Sequence, residues 1–335
     1  MSPELRHLSL LIVLALLVIA AGCTQKTSPA VPVVYIVYGS EKGDLSYTDA
    51  AYQGILAAER EMPVTVREFT PKDLDTLPAL LNSTTGPERP GLIITVGFQY
   101  ADLVRNLAAL HKDIRFLAID TSGIGSGTVQ SYEITSYGDS YLSGVLAASA
   151  TKSGRVGIIT GMKTDLLDTF IRGYTDGVHA INSSITVDQA YVWQDSVQGF
   201  MDPVQAGRIA ERMYHNGTDV IYFGAGKSNT GAFDAAKTMP GRYVIGTDSD
   251  QSPLGPTVVL ASAVKRVDLV VYHGIRQYAG GTFAGGNHVA GLREDATGMV
   301  YNPAFASYNE TVRAWESRAM AGEEEYLRSR DLPGK

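Results

Sequence analysis

The sequence predicts an α/β fold of two doubly wound parallel-sheet lobes, joined by a hinge and facing each other across a central cleft. Three observations carry this. From Val33 onward, short apolar runs rich in Val and Ile alternate with amphipathic segments, and strand–helix alternation builds a parallel sheet with helices on both faces. The apolar runs are continuous, as strands buried on both faces are. The alternation persists for about nine cycles, more than one doubly wound sheet ordinarily holds, so two lobes of about six strands suit the length better than one.

Strands are predicted over 33–38, 64–69, 92–96, 115–119, 155–159, 187–193, 219–223, 243–246 and 257–261. Helices are predicted over 48–61, 71–82, 99–111, 138–151, 165–181, 203–216, 228–238, 265–279 and 303–323. Placing one crossover near Thr135 and another near Ser262 assigns 33–134 plus 263–285 to the first lobe and 135–262 plus 286–323 to the second. Residues 324–335 are left as a C-terminal tail, and the run Glu323-Glu324-Glu325 reads as a solvated helix face.

The first 23 residues carry an address. Arg6 and His7 precede an apolar run from Leu8 to Ala21, of about 14 residues, which suits a signal sequence better than a membrane span of about 20. Ala20-Ala21-Gly22 then leads into Cys23, the single cysteine of the chain. Small residues directly before a cysteine are what a lipoprotein signal peptidase accepts. Residues 1–22 are therefore expected to be a signal peptide and Cys23 the lipidated residue. Residues 23–32 are expected to be a flexible tether that holds the body on the outer side of a cell membrane.

Composition excludes other classes. Hydrophobic residues make up 44% and charged residues 19% of the 335, enough apolar material for a large core and too little charge for general disorder. The net charge of −7 without any basic run argues against a nucleic-acid surface, which needs clustered Lys and Arg. One cysteine permits no internal disulfide and no Cys-x-x-Cys zinc site. No two of the six histidines are spaced as helical metal ligands. Neither a metal nor a cofactor is expected.

In open α/β sheets ligands sit beyond the carboxyl ends of the strands, so the informative loops are those that follow strands. Gly224-Ala225-Gly226-Lys227-Ser228 hints at a phosphate loop, but Ile221 stands where that motif requires its first glycine. What survives is a glycine turn that lets a ligand approach the backbone. Asp248-Ser249-Asp250 and Asp120 end strands; such carboxylates have acid–base work, acceptance of polyol hydroxyls and turn capping all open to them. Aromatic residues near these loops (Tyr47, Tyr52, Phe98, Tyr100, Trp193, Phe200) are core residues by default and stacking faces for a planar ligand otherwise. No Gly-x-Ser-x-Gly elbow and no Cys–His couple is present, so no enzyme is expected.

Several segments together resemble the basic membrane protein family of substrate-binding lipoproteins of ABC importers, over nearly all of 33–300. These are Asp44-Leu45-Ser46-Tyr47 with Tyr52 and Gly54; Ile94 to Phe98; Phe116 to Asp120; Tyr141 to Gly144 and on to Gly161; Phe200-Met201-Asp202-Pro203; Ile245 to Gln251; and Ser262 to Arg266. The resemblance implies a type I periplasmic-binding-protein-like fold, a nucleoside ligand with purine favoured, and ABC permease and ATPase subunits as partners of a monomer. It implies that Tyr52 and Phe200 sandwich the base, with Tyr47 and Phe98 close by. Asp44, Asp120 and Asp248 would hold the base edge and ribose, Lys265 would follow the second crossover, and Gly224 and Gly226 would form the close turn. Gly43 and Thr48 depart from the family's asparagines, which leaves the choice of base open. The same scaffold around riboflavin or another planar metabolite, or a ligand-sensing receptor domain, are the alternatives.

Overall fold

A computed structural model describes residues 31–330. The expected signal peptide, Cys23 and most of the tether lie outside the described residues, as do 331–335. The chain opens with β1 (Val33–Val37), α1 (Tyr47–Glu61), β2 (Thr65–Phe69), α2 (Leu77–Ser83), β3 (Leu92–Val96), α3 (Ala101–Leu110), β4 (Arg115–Ile119) and β5 (Val129–Ile134). It continues through α4 (Tyr137–Ala150), β6 (Arg155–Thr160), α5 (Asp165–Ile181), β7 (Thr186–Tyr191), α6 (Pro203–His215), β8 (Val220–Gly224), α7 (Asn229–Thr238), β9 (Tyr243–Asp248) and β10 (Val259–Lys265). It closes with α8 (Val267–Ala279), β11 (Gly286–Ala290), β12 (Thr297–Tyr301), α9 (Asn309–Arg313) and α10 (Glu316–Arg330). No helix among the described residues is long and apolar enough to cross a membrane.

Two six-stranded sheets result, with orders β11-β5-β4-β3-β1-β2 and β12-β10-β9-β8-β6-β7. Every pairing is parallel except that of β12 with β10. Each sheet has an apolar core on each face, one pair flanking β1, β3 and β4 and the other flanking β6 and β8. That is why β3 and β8 carry no polar alternation: both of their faces are buried. In the second lobe α4 and α5 meet backbone to backbone. A Cβ at Gly177 would come within 2.0 Å of the Tyr141 carbonyl oxygen, and one at Gly173 within 2.2 Å of that of Tyr137, so both positions require glycine.

The expected boundaries shift in three places. β10 continues past Ser262, pairing Ala261–Lys265 with Tyr301–Thr297 of β12, so the chain leaves the second sheet only after Lys265. Residues 286–290, expected in the second lobe, form β11 and pair in parallel with β5 of the first sheet; the return passage lies over 291–296. The third correction concerns the C-terminus. Residues 324–330 continue α10 rather than forming a tail, and Glu323 is buried, not solvated. Its carboxylate accepts 2.9 Å hydrogen bonds from the backbone N–H of Gly138 and of Leu292, so it joins the start of α4 to the 291–296 passage. Arg330 pairs with Glu133 on β5.

β5, β11 and β12 escape prediction for a common reason. β5 reads VQSYEI, and its polar residues look like loop until their partners are seen. Ser131 donates to the Thr121 carbonyl at 2.6 Å and Glu133 meets Arg330. β11 and β12 are five-residue edge strands of weak apolar content. If Glu323 ties the hinge passages as described, Glu323→Ala orphans two buried N–H groups. It is expected to lower unfolding free energy by about 2–3 kcal/mol, seen as a lower urea midpoint at unchanged slope.

Candidate functional site

A cavity of about 520 Å³ opens between the lobes, at the carboxyl ends of the parallel strands of both sheets. The first lobe contributes Asp44 from the β1–α1 connection, Tyr47 and Thr48 from the start of α1, Gly97 and Phe98 after β3, and Asp120 after β4. The second contributes Leu166, Leu167 and Phe170 from α5, the 196–201 loop after β7, Gly224 and Gly226, Thr247 and Asp248, and Lys265.

Asp120 and Asp248 occupy matching places. Each lies at the carboxyl end of the strand third from its sheet's edge, β4 or β9. Each has left-handed backbone, with φ of 57° and 65°, a conformation that aspartate tolerates better than most residues. Their partners differ. Asp120 Oδ2 accepts from Lys265 Nζ at 2.6 Å, with both side chains 3% exposed. Asp248 Oδ2 accepts from Ser46 Oγ at 2.6 Å. Burial pushes the Asp248 carboxyl up to about 6, against the opposing pull of Ser46 and Lys265.

Asp44 has a third kind of environment. It accepts from the backbone N–H groups of Ser46, Thr48 and Asp49 at 2.8–3.0 Å, capping the first turn of α1. Burial still raises its carboxyl. Asp49 in turn accepts from Gly43 and Leu45. Gly43 has a φ of 89° and Leu45 one of 54°, so the tight loop accounts for the glycine at 43.

This loop also touches the opposite lobe. Besides the Ser46–Asp248 bond, Ser249 Oγ donates to the Ser46 carbonyl at 3.0 Å and Gln251 Nε2 to that of Leu45 at 3.0 Å. Together with Lys265–Asp120, these bonds cross from one lobe to the other. The Lys265 ammonium also lies 5.6 Å from the Tyr47 ring centroid and 5.7 Å from that of Phe170, where both ring faces attract a cation.

Phe98 of the first lobe and Phe200 of the second stand with centroids 6.5 Å apart, edge to face. Phe200 rests against Gly161, where a Cβ would come within 2.5 Å of its ring, and Gly226 makes its turn at a φ of 55°.

Nine of the ten expected ligand-binding residues line this cavity; Tyr52 does not. Tyr52 packs on the first lobe's core with Lys42 Nζ 4.2 Å over its ring. Helix geometry gives the reason. Tyr47 opens α1 at the cavity, and five further residues at about 100° each carry Tyr52 to another face. The reading from sequence also missed Val197 and Met201 beside Phe200, Thr247 beside Asp248, and Phe170. Nothing in the spacing of Phe170 marks it, because α5 reaches the cavity only through the packing of the second lobe. Asp139 was missed as well. It is a buried carboxylate on α4, held well above its ordinary range by burial and then by Glu323, with Lys265 pulling the other way.

The raised carboxyls make a pH prediction with a definite sign. A folded-state value above the unfolded one gives stability that is full below about pH 4 and is lost as pH rises through about 6 for Asp248. Asp248→Asn is expected to remove on the order of 2–3 kcal/mol of the difference in stability between pH 4 and pH 7. Urea unfolding at the two pH values measures it; an unaltered difference in the variant contradicts the assignment.

Residues 31–321 match the family described as Bmp, ABC transporter substrate-binding protein PnrA-like. Basic membrane protein A1 of Borrelia garinii is 28% identical over 316 residues, 89% of each chain. An uncharacterised lipoprotein of Pyrococcus abyssi is 30% identical over 304 residues, 85% of this chain and 74% of that one. Among solved structures, an ABC transporter solute-binding protein from Aeropyrum pernix K1 superposes with a TM-score of 0.73 at 26% identity, covering 88% of this chain and 86% of that one. A Caulobacter myo-inositol binding protein, bound to myo-inositol, shares the fold alone, with a TM-score of 0.61 at 14% identity over 85% of this chain and 98% of that one.

Proposed function

The chain belongs to the Bmp family of PnrA-like ABC transporter substrate-binding proteins, and from that premise we propose that its cavity captures a nucleoside, a purine nucleoside by preference. Membership implies a solute ligand and the permease and ATPase subunits of an importer as partners. The nucleoside reading adds which solute. The lipid anchor at Cys23 and the monomeric state belong to the same proposal.

The observation that carries it is that one cavity is lined both by aromatic rings from opposite lobes and by several carboxylates. Phe98 and Phe200 project into it from opposite lobes. Aromatic carbons pack at about 3.5–4.0 Å, so a flat heterocycle between the two rings needs a separation of about 7–8 Å and nearly parallel faces, that is, a small opening together with a swing of the rings from the 61° now between their planes. In the same cavity, Asp120 and Asp248 offer carboxylate oxygens to hydroxyl donors. A nucleoside has this shape: an apolar disc joined to a polyol. The volume falls within the roughly 300–1,000 Å³ of small-molecule sites. The excess of carboxylates over the single lysine disfavours a phosphorylated ligand by repulsion. Phe98 therefore takes the part in the sandwich that the resemblance gave to Tyr52, and Tyr47 lies among the carboxylates.

Titration calorimetry of the purified protein with adenosine, guanosine, inosine, uridine and riboflavin tests this. Binding of riboflavin alone, or of none of the five, refutes the nucleoside reading. Phe200→Ala is expected to weaken nucleoside binding by roughly 1–3 kcal/mol through lost stacking, while Tyr52→Ala leaves the affinity within about twofold. A larger loss at Tyr52 than at Phe200 reverses the assignment of the rings.

A further inference from the structure

One side chain joins the two lobes without lining the cavity. Gln251 is fully buried. Its Oε1 accepts from the Thr247 N–H at 3.0 Å and from Asn229 Nδ2 at 3.1 Å, both in the second lobe. Acceptance from a backbone N–H fixes which way the amide is turned. Nε2 therefore faces the other way, where it donates to the Leu45 carbonyl of the first lobe at 3.0 Å. The Gln251 backbone is anchored as well, its N–H donating to Ser262 Oγ at 2.9 Å. Gly246 leaves room for the amide, since a Cβ there would come within 2.8 Å of Oε1.

The receiving carbonyl is held as firmly. Leu45 has left-handed backbone, with a φ of 54°, which a leucine adopts only when its surroundings impose it. Its own N–H donates to Asp49 Oδ2 at 2.9 Å. The N–H of the peptide it shares with Ser46 donates to Asp44 Oδ1 at 3.0 Å. The next carbonyl, that of Ser46, accepts from Ser249 Oγ at 3.0 Å. Two successive carbonyls of the first lobe are thus met by side chains from one turn of the second. None of Leu45, Ser46, Ser249 and Gln251 lines the cavity. Asp248 and Lys265 do line it, so a ligand competes for their bonds between the lobes. The bonds made by Gln251 and Ser249 stand apart from that competition.

We infer that Gln251, seconded by Ser249, is a positioning residue for ligand capture: its amide latches the lobes together outside the cavity, so that a closed population exists before any ligand arrives. The solute then meets a cavity near its bound shape, and apparent affinity rises with the closed fraction. The latch acts whatever solute is bound, so it does not depend on the nucleoside reading.

Gln251→Glu keeps an oxygen for the Thr247 N–H and Asn229 Nδ2 and replaces the donor facing Leu45 with a second acceptor. Ser249→Ala removes the other latch bond and adds no charge. Each protein is stripped of ligand in urea and refolded. It is then compared with wild type by small-angle X-ray scattering without ligand and by calorimetry with adenosine, guanosine and inosine. Opening is expected to enlarge the radius of gyration of Gln251→Glu by about 0.5–1 Å, against the roughly 20 Å of a compact chain of this length, with Ser249→Ala in between. Nucleoside affinity is expected to fall about five- to fiftyfold in Gln251→Glu and about two- to fivefold in Ser249→Ala. Equal unliganded radii in the three proteins overturn the inference, and a loss of affinity at constant radius then assigns Gln251 to local support of the site. Wild type that binds no nucleoside refutes the nucleoside reading alone, and the scattering comparison still decides the latch. A cooperative thermal melt within a few degrees of wild type shows that the radii are read on folded protein; where Gln251→Glu fails that check, Ser249→Ala decides.

Discussion

The junction of the two lobes must bury several carboxylates with one ammonium among them, and the rest of the site follows from how that is arranged. Asp44, Asp120, Asp139, Asp248 and Glu323 are all buried there, and Lys265 is the buried cation among the described residues. An isolated charge in such a place costs several kcal/mol, so each acid has its own solution. Asp120 takes the lysine, Asp248 a serine hydroxyl, Asp44 three backbone N–H groups and Glu323 two. Among the described residues Asp139 accepts only from the Ser140 N–H, and its raised proton affinity fits a group kept neutral. Because donors and acceptors come from both lobes, satisfying these acids also draws the lobes together.

The fold makes this economical. Each lobe delivers an aspartate at the same rank of its sheet, on left-handed backbone, so one architectural solution is used twice and the two carboxylates converge on a shared cavity. The lobes then diverge. The first supplies the capped loop of Asp44 and the ring of Tyr47; the second supplies Lys265, the Phe170 ring and the glycine turn at Gly224–Gly226. The last strands differ too, β11 extending its sheet in parallel and β12 closing the other antiparallel. The lysine that answers Asp120 is the final residue of β10, just before the chain leaves for the first lobe. A change in the angle between the lobes would therefore act directly on that pair, a coupling of site and hinge typical of closure around a ligand.

Much of this was legible in the residues because it depends on local pattern. Apolar runs marked β1, β3, β4, β6, β8 and β9, and amphipathic spacing marked the helices between them. The ends of those strands and the loops after them hold seven of the nine expected residues that line the cavity, Phe200 follows β7, and Lys265 was indicated by the family resemblance alone. Chemistry at such ends is readable because a parallel sheet places all of its carboxyl ends on one edge. Patterns failed where polar residues found partners distant in sequence. Gln130, Ser131 and Glu133 disguised β5, and the Glu323 carboxylate looked solvated until Gly138 and Leu292 were brought to it.

By itself, then, the sequence determined the doubly wound α/β class, the two lobes and the candidate loops, since each rests on hydrophobic period and on turn residues close together in the chain. Tertiary structure alone decided which ring of α1 faces the cleft, Tyr47 and not Tyr52. It also decided which acids are paired and which are held neutral, and that Lys265 answers Asp120 from the opposite lobe. Those outcomes depend on helix rotation, on desolvation and on contacts between residues as many as 202 positions apart, none of which is expressed in local composition.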